Sequence, residues 1–511
     1  MFVVIGIIDM KKKIFLLPLL LVTTFFTGYS QDFDFQQIGD DIDGEAADDK
    51  SGWSMALSAD GNTVVIGATR NDGNGNESGH VRVYGKNANV WTQIGSDIDG
   101  DATENFMGKA VAISDDGSVI AVGASGNDAN FFNAGQVKIF ENINGTWSQI
   151  GNDILGEAFG NQFGEAIDLS SDGNIVAIGA SYHDNNGNDS AGHVRVFENV
   201  NGTWTQLGNS IYGDAEFDYF GRRLSISSDG SIIAIAAPFN DANGSNTGQV
   251  KIYRYDNNAW TQVGSDILGR SDLDNFGWSV SLNDDGTTVA IGAPFNDDNG
   301  SNSGYISIYR YINNTWTQLG SDIYGEAAGD LFGYSSSLND NGTVLAVSGI
   351  NNDGSGNNAG YVEVYKYENT IWEQIGTDIE GEAEGDKSGY RVSLSNDGTF
   401  LAVSAINNDA NGSNSGHVRT YEFKPVLSVE DTLLHKNAVV FYPNPSGGTI
   451  IFNENVRLDE ISLFNLEGKK IFTKDMENKA TLDISNLPSG VYILKIKTVE
   501  ETLVTRRLVR Q

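Results

Sequence analysis

The sequence predicts an all-β protein, a seven-bladed β-propeller followed by a small C-terminal β-sandwich. Three observations carry that expectation. The turn dipeptide Asp-Gly, once Asn-Gly, recurs with its glycine at 61, 117, 173, 230, 286, 342 and 398, a spacing of 56 or 57 residues. Tryptophans recur in step at 91, 147, 204, 260, 316 and 372. Between these markers every repeat holds short alternating or continuous apolar runs bounded by Gly- and Asn-rich turns, the pattern of strands. Four strands in a unit of this length, repeated radially, are the signature of propeller blades.

Residues 1–30 read as an export signal. Met10 is the expected start, followed by Lys11-Lys12-Lys13, an apolar run from Ile14 to Phe26, and the small or polar residues Thr27, Gly28 and Ser30. That stretch of 13 residues falls short of the about 20 needed to span a bilayer. No other segment is apolar enough to do so.

The propeller is expected over 31–423, and its fifth repeat shows the unit most clearly. Phe276-Gly277-Trp278-Ser279-Val280-Ser281-Leu282 alternates and reads as strand a, and Asp285-Gly286 is a hairpin turn. Thr288–Ala293 is nearly continuous in apolar residues, as a strand buried on both faces should be (b). Tyr305–Tyr309 alternates again (c), Asn313-Asn314 turns the chain, and Trp316-Thr317-Gln318-Leu319-Gly320 is the fourth strand (d). There are seven turns but six tryptophans, because the chain leaves the pattern at Pro425-Val426-Leu427-Ser428. The missing strand stands upstream: Phe35-Gln36-Gln37-Ile38-Gly39 matches Trp91-Thr92-Gln93-Ile94-Gly95 at one period's distance. The first strand should therefore complete the last blade and cover its edge.

Composition narrows the chemistry. The 511 residues contain no cysteine and five histidines, which removes disulfides, thiolate metal sites and a cysteine nucleophile. The net charge is −36, and residues 31–423 hold 17 basic against 56 acidic side chains. Such a surface repels nucleic acid and anionic lipid.

Phe276-Gly277 followed by Gly292-Ala293-Pro294 resembles the FG-GAP repeat of integrin α-subunit propellers, with Phe220-Gly221 and Ala237-Pro238 a looser copy. The resemblance implies an extracellular binding propeller, often calcium-stabilised. That family's calcium loop lies between strands a and b, where this chain has only a tight turn, so its calcium residues do not carry over. After a linker over 424–437, residues 438–511 resemble the type A sorting domain of the Bacteroidetes type IX secretion system. The motifs are Phe441-Tyr442-Pro443-Asn444-Pro445, Leu466-Glu467-Gly468-Lys469-Lys470, Leu487-Pro488-Ser489-Gly490-Val491-Tyr492 and the basic Arg506-Arg507. The resemblance implies a small β-sandwich recognised by the outer-membrane translocon and removed or anchored at the cell surface.

Candidate sites follow from which positions hold their chemistry. The a–b turn acids are replaced by Asn341 in the sixth repeat, so turn geometry rather than charge is what that position requires. In the b–c loop, Asp72, Asp128, Asp184, Asp241, Asp297, Asp353 and Asp409 occupy one position in all seven repeats. Two readings stand: carboxylates that bind calcium in oxygen-rich loops, or carboxylates that accept backbone N–H groups. Ligand specificity should lie where repeats differ. On the face formed by the b–c loops and d–a connections these departures are Phe131, Phe132, Tyr182, His183, Phe217, Tyr219, Arg222 and Arg270; exposed aromatics beside polar groups suit sugar or protein recognition. His80, His193 and His417 precede strand c and are expected to flank it rather than bind metal. Asn144-Gly145-Thr146-Trp147 lacks the defining aspartate of the sialidase Asp box it resembles.

The functional expectation is a non-enzymatic, monomeric surface or secreted protein that binds an extracellular glycan or protein and is delivered through 438–511. A glycan-processing enzyme and a ligand-free scaffold are the alternatives.

Overall fold

The computed structural model describes residues 33–425 except Asn186, and in the C-terminal part residues 441–442, 448–452, 457–465, 468–476, 480–499 and 503–510. The expected export signal and nearly all of the expected linker lie outside these residues. The chain divides into a unit over Phe33–Leu427 and a second that holds the C-terminal strands.

The first unit is built of seven antiparallel sheets in sequence order. In the fifth, Ser279–Leu282, Thr288–Ala293, Tyr305–Ile312 and Thr315–Gln318 are strands a to d. Each blade also has a fifth strand the sequence did not signal: Ile323–Tyr324 pairs with Tyr305 and Ile306. Strand c has eight residues but d only four, and d pairs with the second half of c. The returning dipeptide covers the edge that the first half of c would otherwise expose.

The ring closes as the repeat count requires. Phe33–Gln37 pairs antiparallel with His417–Pro425, Phe35 opposite Phe423. At the a–b turns, seven backbone bonds run in a cycle, each N–H donating to the next carbonyl: Ala59 to Asp115, Ser171, Ser228, Asp284, Asp340, Asn396 and back to Ala59, all at 2.9–3.0 Å. Only a closed sevenfold ring permits that circuit.

The two halves of the repeat motif have separate physical causes. Gly277 has φ 95°, a conformation side chains rarely adopt, and it lets the chain turn into strand a while Phe276 is 1% exposed between blades. Gly292 lies against the next blade, where an added Cβ would stand 2.0 Å from the Gly333 carbonyl oxygen. Close packing of inner strands thus requires the small residue. The tryptophans pin blade to blade: Trp147, Trp204, Trp260, Trp316 and Trp372 each donate Nε1–H to a carbonyl of the preceding blade at 2.9–3.0 Å. Strand b is buried throughout in the second, fourth, fifth and sixth blades.

In the C-terminal unit a three-stranded sheet (Phe441–Tyr442, Thr449–Phe452, Thr481–Asp483) and a four-stranded sheet (Lys470–Asp475, Leu458–Asn465, Gly490–Thr498, Leu503–Arg510) share one apolar core. Ile450, Phe452 and Leu482 from the first meet Ile461, Leu463, Leu494, Ile496 and Leu508 from the second. This is the expected sandwich, built on alternation of buried and exposed positions.

Candidate binding site at the axial mouth

Strand a begins at the face of the b–c loops and d–a connections, so its first residues surround the axis there. The residue after the strand-a glycine is Trp53, Lys109, Glu165, Arg222, Trp278, Tyr334 and Tyr390 in blades 1 to 7. The aromatic members and their loop neighbours form a continuous arc of ring contacts. Centroid distances are Trp53–Tyr390 5.3 Å, Tyr390–Tyr334 5.5 Å, Tyr334–Trp278 5.8 Å, Trp278–Phe239 6.2 Å, Phe239–Tyr219 5.2 Å and Tyr219–Tyr182 5.2 Å. Cations lie over several of these rings: Lys109 over Trp53 at 4.9 Å, Arg222 over Trp278 at 5.4 Å and Arg391 over Tyr390 at 4.8 Å.

The charge here is opposite to that of the disc. Arg222 pairs with Glu165 at 3.4 Å, and Ser181 donates to the other Glu165 oxygen at 2.5 Å. Burial pushes the Lys109 ammonium below its usual pKa; Glu165 works against this, while Arg223, Arg222 and Arg391 add to it. Burial and then Arg391 and Arg222 bring the Arg223 guanidinium down to about 10. Side chains from blades 2, 4 and 7 can sense one another in this way only around the axis. Four cations thus meet one carboxylate at the centre of an acidic ring.

The opposite end of the axis is acidic. Asp284 is pushed up to about 6 by burial, then by Asp115 and Asp340. The Asn396 amide donates to Asp115 at 3.3 Å and to Asp284 at 3.4 Å.

Of the residues expected from sequence, Tyr182, Tyr219 and Arg222 belong to the axial mouth. Phe131 and Phe132, 47% and 55% exposed, lie apart; Phe132 stacks on Phe159 at 5.5 Å. Phe217 is 51% exposed in its connection. His183 stacks on His193 at 3.9 Å and shares a hydrogen bond with Asn161. Arg270 bonds to Asp322 at 2.7 Å and lies over Tyr305 at 4.2 Å, nearer the outer rim. Sequence reading missed Trp53, Lys109, Glu165, Trp278, Tyr334 and Tyr390, although the rule it used, departure between repeats, applies to this position as well.

Each b–c aspartate is exposed and accepts a backbone N–H from its own loop. Asp72 accepts from Glu77, Asp128 from Asn133, Asp184 from Ser190, Asp241 from Asn246, Asp297 from Asn302, Asp353 from Asn358 and Asp409 from Asn414, at 2.6–2.8 Å. The d–a aspartates Asp49, Asp218, Asp274, Asp330 and Asp386 are buried rather than surface charges, and each accepts from the b–c asparagine 22 residues on. Burial raises the pKa of Asp49, Asp218, Asp274 and Asp386.

Among the described residues, three groups bring carboxylates or imidazoles close enough to share a cation: Glu45–His80–Asp97, Asp41–Glu382–His417 and Glu326–Glu363–Asp378. In the first two, burial and then the arginine two residues along strand c hold His80 and His417 down to about 4, so both rings are neutral at physiological pH. His193 is lower still, at about 2, through burial and then His183. A surface depression of about 430 Å³ between Gly39–Asp43 and Tyr84–Trp91 lies at the outer edge of the closure, away from the axial mouth.

Comparison with known families matches residues 42–84, 270–309 and 380–421 to the FG-GAP repeat, and 440–511 to the secretion system C-terminal sorting domain. The chain therefore carries FG-GAP repeats and a type IX sorting domain. No curated protein matches it. Solved structures similar to it include a putative 6-phosphogluconolactonase from Bacteroides uniformis ATCC 8492 (14% identity, 65% of this chain, 86% of that chain, TM-score 0.45). Others are U3-55K (10%, 76%, 98%, 0.45) and the periplasmic gluconolactonase of Pseudomonas aeruginosa (13%, 65%, 85%, 0.43).

Proposed function

We propose that this FG-GAP propeller, exported by the type IX system to the cell surface or the extracellular space, is a binding protein that recognises an anionic glycan at its axial mouth. The observation that carries the reading is the arc from Trp53 to Tyr182 with Lys109, Arg222, Arg223 and Arg391 inside it. Aromatic faces pack against the apolar faces of sugar rings, and guanidinium forks match carboxylate or sulfate bidentately. The surrounding acid supports selectivity, since an anion gains at the centre what it loses at the rim.

The site reads as binding rather than turnover. Glu165 is already held by Arg222 and Ser181, and its neighbours are cations rather than the second carboxylate that glycoside hydrolysis uses.

The test is a glycan array with the secreted protein, followed by titration calorimetry on the best ligands. Saturable binding of uronate- or sulfate-bearing glycans, weakened by salt and by Trp278→Ala, supports the reading. Equal binding of neutral glycans with no salt dependence, or no binding at all, overturns it.

A further inference from the structure

The seven blades act as controls for one another at a rim position beside the first residues of strand c. In six of them a side-chain cation fills it. The pairs are Arg82–Glu45 (3.4 Å), Lys138–Asp101 (2.7 Å), Arg195–Glu157 (3.3 Å), Lys251–Asp214 (2.5 Å), Arg270–Asp322 (2.7 Å) and Arg419–Glu382 (3.4 Å). In the fifth blade the third residue of strand c is Ser307, and the cation comes instead from the d–a connection as Arg270.

The sixth blade has neither arrangement. Glu363 stands where strand c carries lysine or arginine in five blades and serine in the fifth, and Glu326 keeps the acid of the other blades where the fifth has Arg270. With Asp378 they offer carboxylate oxygens within 4.8 Å of one another. Glu363 is 3% exposed. The Tyr365 hydroxyl donates to it at 2.7 Å.

Tyr361 is 1% exposed, and its hydroxyl has no hydrogen-bond partner. Gln136, His193 and His417, which open strand c in blades that have their cation, also carry unpartnered buried atoms, but among the described residues only in the sixth blade does such a group stand beside a cluster of acids with no lysine or arginine. Over its fifth-blade counterpart Tyr305 lies the Arg270 guanidinium, 4.2 Å from the ring centroid. Tyr361 and Glu363 alternate along strand c and so stand on the same face of the sheet. Glu380, paired across the strand with Tyr361, has a buried carboxylate oxygen that is also unpartnered. Burying acids and a hydroxyl with neither counter-charge nor acceptor is costly, and an oxygen-only, flexible donor set with an exposed member suits calcium more than the smaller, stricter magnesium.

We infer that a calcium ion binds in the sixth blade between Glu326, Glu363 and Asp378, taking the place that lysine or arginine fills in the other six. The ion enters past Glu326, which is exposed, and its remaining water gives the Tyr361 hydroxyl an acceptor. This site is separate from the b–c loops and from the axial mouth.

The test is terbium luminescence of the full secreted chain, excited through its aromatic residues, with calcium or magnesium as competitor. The expected result is a saturable site from which calcium displaces terbium more readily than magnesium. Asp378→Asn should weaken it about tenfold or more, and Asp353→Asn, in the b–c loop of the same blade, should leave it unchanged. Glu363→Arg restores the cation of the other blades: it should abolish the site and melt in EDTA at or above the wild-type temperature. The inference is overturned by absence of a saturable site, by Asp378→Asn binding like wild type, or by loss in Asp353→Asn with retention in Glu363→Arg. If Glu363→Arg fails to fold, Asp378→Asn decides alone.

Discussion

The indole Nε1–H of Trp91 donates to the hydroxyl of Thr420, 2.8 Å away and 329 residues along the chain. That hydroxyl in turn donates to the Ile38 carbonyl at 3.0 Å. Elsewhere the equivalent tryptophan reaches the carbonyl directly, as Trp147 does with Ile94. At the closure, where the N-terminal strand must be held without a covalent link to its own blade, one hydroxyl ties strands from three parts of the sequence. Thr420→Val keeps the shape but leaves a buried donor and acceptor unpaired. Denaturant unfolding should show a loss of about 1–3 kcal/mol, and native-state hydrogen exchange should localise the opening to 33–38.

Gly292→Ala places a methyl against the Gly333 carbonyl and the Ser279 hydroxyl, and the backbone carbonyl has little room to yield. The expected cost is about 1–3 kcal/mol, read as a lower denaturation midpoint. The same substitution at Gly145, where an added Cβ meets nothing within 4 Å, is limited to the φ 85° penalty.

Asp168 gives the propeller a built-in pH dependence. Its carboxylate accepts the Ile226 N–H of the next blade at 2.8 Å, yet burial outweighs that bond and raises its pKa to about 6. The folded state then holds the proton more tightly than the unfolded chain. The associated stability is complete below about pH 4 and is lost as pH rises through about 6, up to roughly 3 kcal/mol. Blades 4 to 7 use serine at this position, and Ser225 accepts the equivalent Leu282 amide at 3.1 Å. Asp168→Ser should flatten the pH profile of thermal unfolding between 4 and 6 and raise stability at pH 7. An unchanged slope would show that Asp168 is ionised throughout.

The b–c aspartates should behave as loop braces. Asp297→Asn retains an acceptor for the Asn302 N–H, so its melting temperature should stay close to wild type and its shift on adding calcium should be unchanged. Asp297→Ala should lose about 1 kcal/mol or less.

At the axial mouth, Trp53→Ala and Trp278→Ala should each reduce glycan affinity by about tenfold or more, about 1.4 kcal/mol. Phe132→Ala should leave it unchanged, because Phe132 packs on Phe159 away from the axis. Calorimetry on the three variants separates the two aromatic patches.

By itself the sequence determined everything that repeats. Period, turn residues and tryptophans specify local pairings: an Asp-Gly turn makes the same hairpin wherever it occurs, and a one-period offset between Phe35 and Trp91 is enough to locate the closing strand. It also determined the sorting sandwich, whose alternation and ordered motifs are local signals. Only the tertiary structure decided which side chains meet. Trp53, Lys109, Glu165, Arg222, Trp278, Tyr334 and Tyr390 are about one period apart in sequence and neighbours in space, because ring closure turns one position in seven repeats into a single circle. The fifth strand escaped because two residues cannot display a period. The burial of the d–a aspartates is not legible, because sequence records that a carboxylate is present but not that an asparagine 22 residues away will reach it in the interior. Glu363 looked ordinary for the same reason, and its meaning appears only when six blades place a cation where the sixth places an acid.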